Sequence, residues 1–232
     1  MAEFVTRFAP SPTGFLHLGH AFSALTAWDM AAQAGGLMRL RIEDIDQPRC
    51  RPLYESAIYE DLHWLGLTWP KPVMRQSSRL PAYAAALAQL SQLGLTYPCS
   101  CSRGDIRAAL SAPQEGAAMI GPDGPVYPGT CRHRSMSDQA AGDAIRLNMG
   151  AALAHLGQAE LAFTETGPAR FGDHMITPHD LLTGVGDIVL ARRDIGTSYH
   201  LSVVVDDAAE GISHVVRGED LFTATPVHVL LQ

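Results

Sequence analysis

Residues 3–42 read EFVTRF (3–8), APSPTG (9–14), LGHAFSALTAWDMAAQ (18–33), GG (35–36) and LMRLRI (37–42). The first block is rich in β-branched and aromatic residues, which predicts a strand from Glu3 to Phe8. Pro10, Pro12 and Gly14 then break it, because proline has no ladder N–H and a fixed φ. Leu18 to Gln33 is alanine-rich and predicts a helix, ended by Gly35-Gly36. Leu37 to Ile42 predicts a buried strand. Strand, loop, helix and strand in this order form a βαβ unit, which implies a parallel sheet and the α/β class.

Further along, helices are predicted at Leu53–Leu65, with Ile58, Leu62 and Leu65 facing the core, and at Pro81–Leu93, stopped by Gly94. Residues 97–140 hold three of the four cysteines, several prolines and glycines, and little periodicity. They read as a small inserted subdomain, since a structureless loop of that length is uncommon in a compact domain. Strands are predicted at Ala144–Met149, Glu160–Thr164, Gly186–Ala191 and Ile212–Arg217. Ser198–Val205 admits strand or helix, and Thr225–Gln232 predicts a helix with Pro226 in its first turn. Trp28, Trp64 and Trp69 are expected in packed interiors.

Of 232 residues, 47% are apolar and 18% charged, enough for a sizeable core and inconsistent with a disordered chain. The net charge is −7, and the imbalance is local. Residues 1–140 carry 12 basic and 12 acidic side chains; residues 141–232 carry 5 and 12. With no basic tail, any nucleic-acid contact has to come from a shaped patch. Sixteen basic residues are arginine and one is lysine, Lys71. No apolar run of about 18 residues and no signal-peptide pattern occur, and four cysteines are too few for a disulfide scaffold. A soluble, cytoplasmic protein without membrane contact is expected, its clustered thiols better suited to a metal than to bridges.

His17-Leu18-Gly19-His20 opens the first predicted helix. Backbone N–H groups at a helix N-terminus favour anionic oxygen, and Gly19 admits close approach of a ligand. Two imidazoles there suit phosphate oxygens whose charge rearranges. Cys99-Ser100-Cys101 is followed by 25 residues and then by Tyr127-Pro-Gly-Thr-Cys131-Arg-His133. A Cys-x-Cys hook with two later ligands can hold one tetrahedral Zn²⁺. By donor chemistry alone the set is Cys99, Cys101, Cys131 and His133, because phenolate is a rare zinc ligand. Cys50 stands apart as an ordinary thiol.

The string RFAPSPTG (7–14) followed by HLGH (17–20) resembles the N-terminal signature of class I glutamyl-tRNA synthetases. RLRIEDID (39–46), Tyr199-His-Leu, Val204-Val-Asp206-Asp207 and HVVRGED (214–220) resemble later blocks of that family, in its order. The resemblance spans nearly the whole chain. It implies a Rossmann-type nucleotide-binding fold carrying a zinc-binding lobe, with ATP at the carboxyl ends of the strands where their order reverses. Residues 1–96 would form the first half of the catalytic domain and 97–140 the zinc-binding insertion. Residues 141–232 would form the rest of the insertion and the second half.

The chain resembles a shorter branch of the family that lacks the anticodon-binding region and attaches glutamate to the queuosine base of tRNA(Asp). Glutamyl enzymes tend to have Asn four residues after the motif tyrosine; here Val203 follows Tyr199 at that place. This branch implies ATP, L-glutamate and queuosine-bearing tRNA(Asp) as partners, and a monomer. It implies that Arg7 and Arg217 bind substrate carboxylates, that Glu43 receives the α-ammonium, and that Tyr199, Ala9 and Ser11 line the pocket. Guanidinium is the natural partner of a desolvated carboxylate. Pro10, His17, Gly19, His20, Asp220 and Leu221 correspond to ATP contacts, with His17 and His20 catalytic and Mg²⁺ accompanying ATP. Asp206-Asp207 would support the pocket from behind. The branch also implies Tyr127 as fourth zinc ligand with Cys99, Cys101 and Cys131, so Tyr127 and His133 remain alternatives.

One departure concerns lysine. The family's second signature, Lys-Met-Ser-Lys-Ser or a relative, does not occur before Gln232, so the chain reads as cut short of it. Two other readings stay open: the catalytic half of a glutamyl-tRNA synthetase charging tRNA(Glu), and a zinc-stabilised tRNA-binding module without catalysis.

Overall fold

The computed structural model describes residues 4–111 and 119–232. Glu3 of the first predicted strand and residues 112–118 of the predicted insertion lie outside the described residues. In chain order the elements are β1 (Val5–Phe8), α1 (Leu18–Gln33), β2 (Leu37–Ile42), α2 (Pro52–Trp64), β3 (Met74–Arg75), α3 (Leu80–Gln92), β4 (Thr96–Cys99) and α4 (Arg103–Ser111). They continue with β5 (Ile120–Gly121), β6 (Gly124–Pro125), β7 (Ala144–Leu147), α5 (Met149–Leu156), β8 (Leu161–Glu165), β9 (Gly172–Ile176), β10 (Val189–Ala191), α6 (Tyr199–Glu210) and α7 (Thr225–Leu231). Among the described residues no helix is long and apolar enough to cross a membrane.

The chain divides into two compact units. The first comprises Met1–Ala82 and Val205–Glu219. Its sheet is parallel in the order β1-β2-β3, with Arg7 opposite Arg39 and Arg41 opposite Met74. Alternation along a strand sends Thr6, Phe8, Met38, Leu40 and Ile42 to one face and Arg7, Arg39 and Arg41 to the other. The first face is the core. Phe8, Leu40 and Ile42 cluster there with Ala24, Ala27 and Ala31 of α1 and Ile58 and Leu62 of α2. The alanine stripe lets α1 lie close to the sheet, which a row of larger residues would prevent. The return from α1 needs glycine at position 36, where a Cβ would meet the Phe4 carbonyl oxygen at 1.9 Å.

The second unit comprises Tyr83–Val204 and Asp220–Gln232. Its main sheet is antiparallel, in the order β10-β7-β4, and β5–β6 and β8–β9 are hairpins. The expectation of one parallel sheet therefore holds only for β1-β2-β3, whose sequential order contains no reversal. The predicted strand at Ile212–Arg217 does not form. Ser213 and His214 both donate backbone N–H groups to the Val5 carbonyl, while the Ser213 hydroxyl accepts the Val5 N–H, so no regular ladder follows. Of Ser198–Val205, the residues from Tyr199 to Val205 resolve as helix, within α6. Burial of Leu201, Val203 and Val204 outweighs the few tenths of a kcal/mol by which valine disfavours helix. Trp28 and Trp69 pack against the core, but Trp64, at the end of α2, is 86% exposed. Its position follows Leu62 by two residues, which turns it to the opposite side of the helix.

Candidate active site

The charged face of the first unit's sheet gathers side chains from β1, β2 and the C-terminal half of α6. Arg41 is fully enclosed. Its Nη1 donates to Asp207 at 2.7 Å and to Glu210 at 2.9 Å, and its Nη2 to Glu43 at 3.2 Å. Arg7 donates Nε to the same Asp207 oxygen at 2.9 Å and Nη1 to the Val216 carbonyl at 3.1 Å. Two guanidiniums thus meet three carboxylates in a space largely closed to water. Burial opposes charge on Arg41, but Glu43, Asp207 and Glu210 outweigh it and raise its pKa. Burial pushes Glu43 above the usual carboxylate range, against the pull of Arg41 and Arg7. Asp206 accepts from Gln76 at 3.1 Å and from Arg79 at 2.5 Å, and Asp44 accepts from the Ser77 N–H and hydroxyl at 2.8 and 2.6 Å. These bonds fix the ends of β2 and α6 from behind.

The loop after β1 is joined to this network, because the Glu43 N–H donates to the Pro10 carbonyl at 3.0 Å. The loop delivers His17 as the N-cap of α1. His17 Nδ1 accepts from the Gly19 N–H, and His20 Nδ1 accepts from the His17 N–H, both at 3.2 Å. The two rings stack with centroids 3.9 Å apart. Since each Nδ1 is an acceptor, each neutral imidazole carries its proton on Nε2. Both rings therefore keep one N–H donor for a ligand. Burial, and then the neighbouring His17, lower the pKa of His20, which favours the neutral form.

In the second unit, Cys99 at the end of β4, Cys101 and Cys131 place their sulfurs within 4.8 Å of one another. The Tyr127 hydroxyl lies 3.4 Å from the Cys99 and Cys101 sulfurs and accepts the Cys131 N–H at 2.9 Å. Cys101 and Cys131 are 3.5 Å apart. Tetrahedral zinc with bonds of about 2.3 Å to sulfur and about 2.0 Å to oxygen asks for S···S near ~3.8 Å and S···O near ~3.5 Å. The donor set fits one such ion. Burial opposes ionisation of Cys131, but hydrogen bonds from Tyr127, the Ser100 backbone and Cys101 hold it at about 6. Burial pushes Cys101 up to about 11. His133 is exposed and does not belong to the thiol group.

The first unit thus holds Arg7, Ala9, Pro10, Ser11, His17, Gly19, His20, Glu43 and Arg217 of the residues singled out in the sequence, whereas Tyr199, Asp220 and Leu221 belong to the second unit. Arg41 was not singled out, although it is the most connected member of the network. Its signal was available: in RLRIE (39–43) it shares the strand parity of Glu43 and Arg39. Asp187, which organises the second unit's interior, carried no such signal.

Residues 3–232 match the family described as tRNA synthetases class I (E and Q), catalytic domain. The chain belongs to that family and is an enzyme of the ligase type. Its relatives include the glutamyl-Q tRNA(Asp) synthetase of Rhodobacter capsulatus, 59% identical over 231 residues, covering 98% of this chain and 81% of the relative. The protein of that name from Symbiobacterium thermophilum is 43% identical over 235 residues, covering 97% of this chain and 68% of the relative. Within the family the chain groups with the glutamyl-Q tRNA(Asp) synthetases. A crystal structure of a glutamate tRNA ligase from Elizabethkingia meningosepticum, in complex with its amino acid, is similar with a TM-score of 0.76 and 27% identity. That likeness covers 99% of this chain and 46% of the other, so the chain spans about half of that structure's length.

Proposed function

We propose that this chain activates L-glutamate with ATP to glutamyl-adenylate and transfers the glutamyl group to the queuosine base of tRNA(Asp). The observation that carries this reading is the network of Arg7, Arg41, Glu43 and Asp207, hydrogen-bonded through Pro10 to the loop that presents His17 and His20. An amino acid with two carboxylates and one ammonium matches it. Among the described residues Arg7 Nη2 makes no hydrogen bond, which leaves it for a substrate carboxylate, with Arg217 as the second guanidinium. Glu43 receives the ammonium. Tyr199, Ala9 and Ser11 complete the glutamate contacts that the family resemblance implies.

In the first step the α-carboxylate of glutamate attacks the α-phosphorus of ATP in line, and pyrophosphate leaves. No protein nucleophile is required, so catalysis is placement and charge stabilisation. The Nε2–H groups of His17 and His20 donate to the phosphate oxygens, Gly19 admits them to the helix N-terminus, and Pro10, Asp220 and Leu221 contact the nucleotide. Mg²⁺ bound with ATP would supply charge neutralisation for the leaving pyrophosphate. In the second step a nucleophile of the queuosine base takes the glutamyl group and AMP leaves. Cys99, Cys101, Tyr127 and Cys131 would hold one Zn²⁺, which would pin the surrounding lobe.

Glutamate-dependent ATP–pyrophosphate exchange tests the reading. Exchange without tRNA is expected, as is labelling of tRNA(Asp) only when it carries queuosine. Exchange that appears only with added tRNA would instead support a glutamyl-tRNA synthetase, and its absence from the protein would leave a tRNA-binding module. For the zinc, Cys99→Ser is expected to reduce bound metal from one per chain to near zero while leaving the first unit's network intact. Metal analysis of purified wild-type and variant protein checks this, and equal zinc in both would remove Cys99 from the ligand set.

A further inference from the structure

The Tyr127 ring that brings its oxygen to the thiols has a guanidinium on its face. Arg146 Cζ lies 3.8 Å from the ring centroid, and both residues are buried. Arg146 sits on β7, which pairs with β4 so that Arg146 faces Tyr97 and Ala144 faces Cys99. The strand register thus sets the guanidinium beside the thiol hook. Its Nη1 donates to the Asp187 carbonyl at 2.7 Å. The Asp187 side chain is held in turn by the Tyr97 hydroxyl at 2.5 Å, Arg132 Nε at 2.7 Å and the Met149 N–H at 2.9 Å. Arg146 is anchored on one side and lies over the Tyr127 ring on the other.

We propose that Arg146 is a positioning residue for the metal site, fixing Tyr127 as the oxygen donor beside Cys99, Cys101 and Cys131. The proposal rests on the zinc reading given above. One physical effect carries it: the guanidinium over the ring restricts its rotation, so the oxygen stays where it meets two sulfurs. Partners behind a metal ligand typically contribute about 10–100-fold in metal affinity.

Zinc affinity measured by chelator competition, in a double-mutant cycle on the full protein, tests the proposal. Arg146→Met is expected to weaken zinc binding about 10–100-fold, and Tyr127→Phe by at least as much. In the Tyr127→Phe background, Arg146→Met is expected to add less than about twofold, because its effect passes through the ring. Arg146→Lys, which keeps the charge without the planar stack, should fall between wild type and Arg146→Met, and serves in the same cycle if methionine prevents folding. Wild-type affinity in Arg146→Met, or losses that multiply in the double variant, would overturn the proposal and leave Arg146 as a structural residue acting through Asp187. A wild-type protein that binds no zinc would overturn the zinc reading and the proposal together, a result distinguishable from the others by metal content alone.

Discussion

Replacing Arg41 by leucine is expected to destabilise the protein by about 3–5 kcal/mol, the usual cost of leaving buried charges without their partner. Among the described residues, Arg41 alone forms ion pairs with all three of Glu43, Asp207 and Glu210. Without it, Asp207 retains Arg7, but Glu43 and Glu210 lose their hydrogen-bonded cation. Denaturant unfolding followed by far-UV circular dichroism measures the loss. The sign of its pH dependence follows from the carboxyls. Burial raises both Glu43 and Glu210 even with Arg41 present. A carboxyl whose folded pKa lies above its unfolded value binds protons more tightly when folded, so stability falls as pH rises through the raised value. Removing Arg41 raises both further. The deficit of Arg41→Leu should therefore be largest at neutral pH and shrink on acidification towards the ordinary glutamate value of 4.5. A variant as stable as wild type at pH 7, or one whose deficit grows on acidification, would show that the network is not held by Arg41. Glutamate activation should be lost as well, because Glu43 and the Arg7–Asp207 pair would no longer be fixed.

The βαβ start was legible because its signals are local. Pro10, Pro12 and Gly14 end β1, Gly35-Gly36 end α1, and α1 and β2 occupy the predicted residues. The later segments depend on long-range contacts that no local pattern carries. Three consecutive valines at 203–205 left strand and helix open, and they lie in α6, which carries Asp206 and Asp207 to Arg79 and Arg41. Ile212–Arg217 has strand composition, but its partner Val5 accepts two N–H groups at one carbonyl and continues no ladder. The ordered motifs pointed to Arg7, Glu43 and the histidines, whereas the counter-charge at Arg41 needed the strand parity of RLRIE. The choice between Tyr127 and His133 could not be made from spacing, since both flank Cys131. Only three dimensions bring the Tyr127 oxygen to two sulfurs.

Removing both histidines of the loop while keeping its backbone bonds separates their structural role from their chemical one. His17 and His20 form a reciprocal box at the start of α1, each Nδ1 accepting a backbone N–H. Asn at an N-cap and Gln three residues later supply the same acceptors. The double variant His17→Asn/His20→Gln is therefore expected to fold with stability within about 1 kcal/mol of wild type. What it lacks is the pair of imidazole Nε2–H donors; the amide N–H groups that replace them sit at other positions on the side chains and do not reproduce that pair. Removing one preorganised donor to a developing charge typically costs about 10²–10³ in rate, so pyrophosphate exchange should fall at least that far. The lowered pKa of His20 gives a second signature. A histidine held below its ordinary value of 6.5 contributes stability that is present above that value and lost as pH falls through the folded one. Below it, a protonated Nδ1 no longer accepts the His17 N–H, and the box opens. Wild type should accordingly lose stability on acidification below 6.5, while the Asn/Gln variant, which has no imidazole in the box, should not lose that component. Exchange within threefold of wild type in the double variant would reduce both histidines to helix caps and move the phosphate contacts elsewhere in the loop.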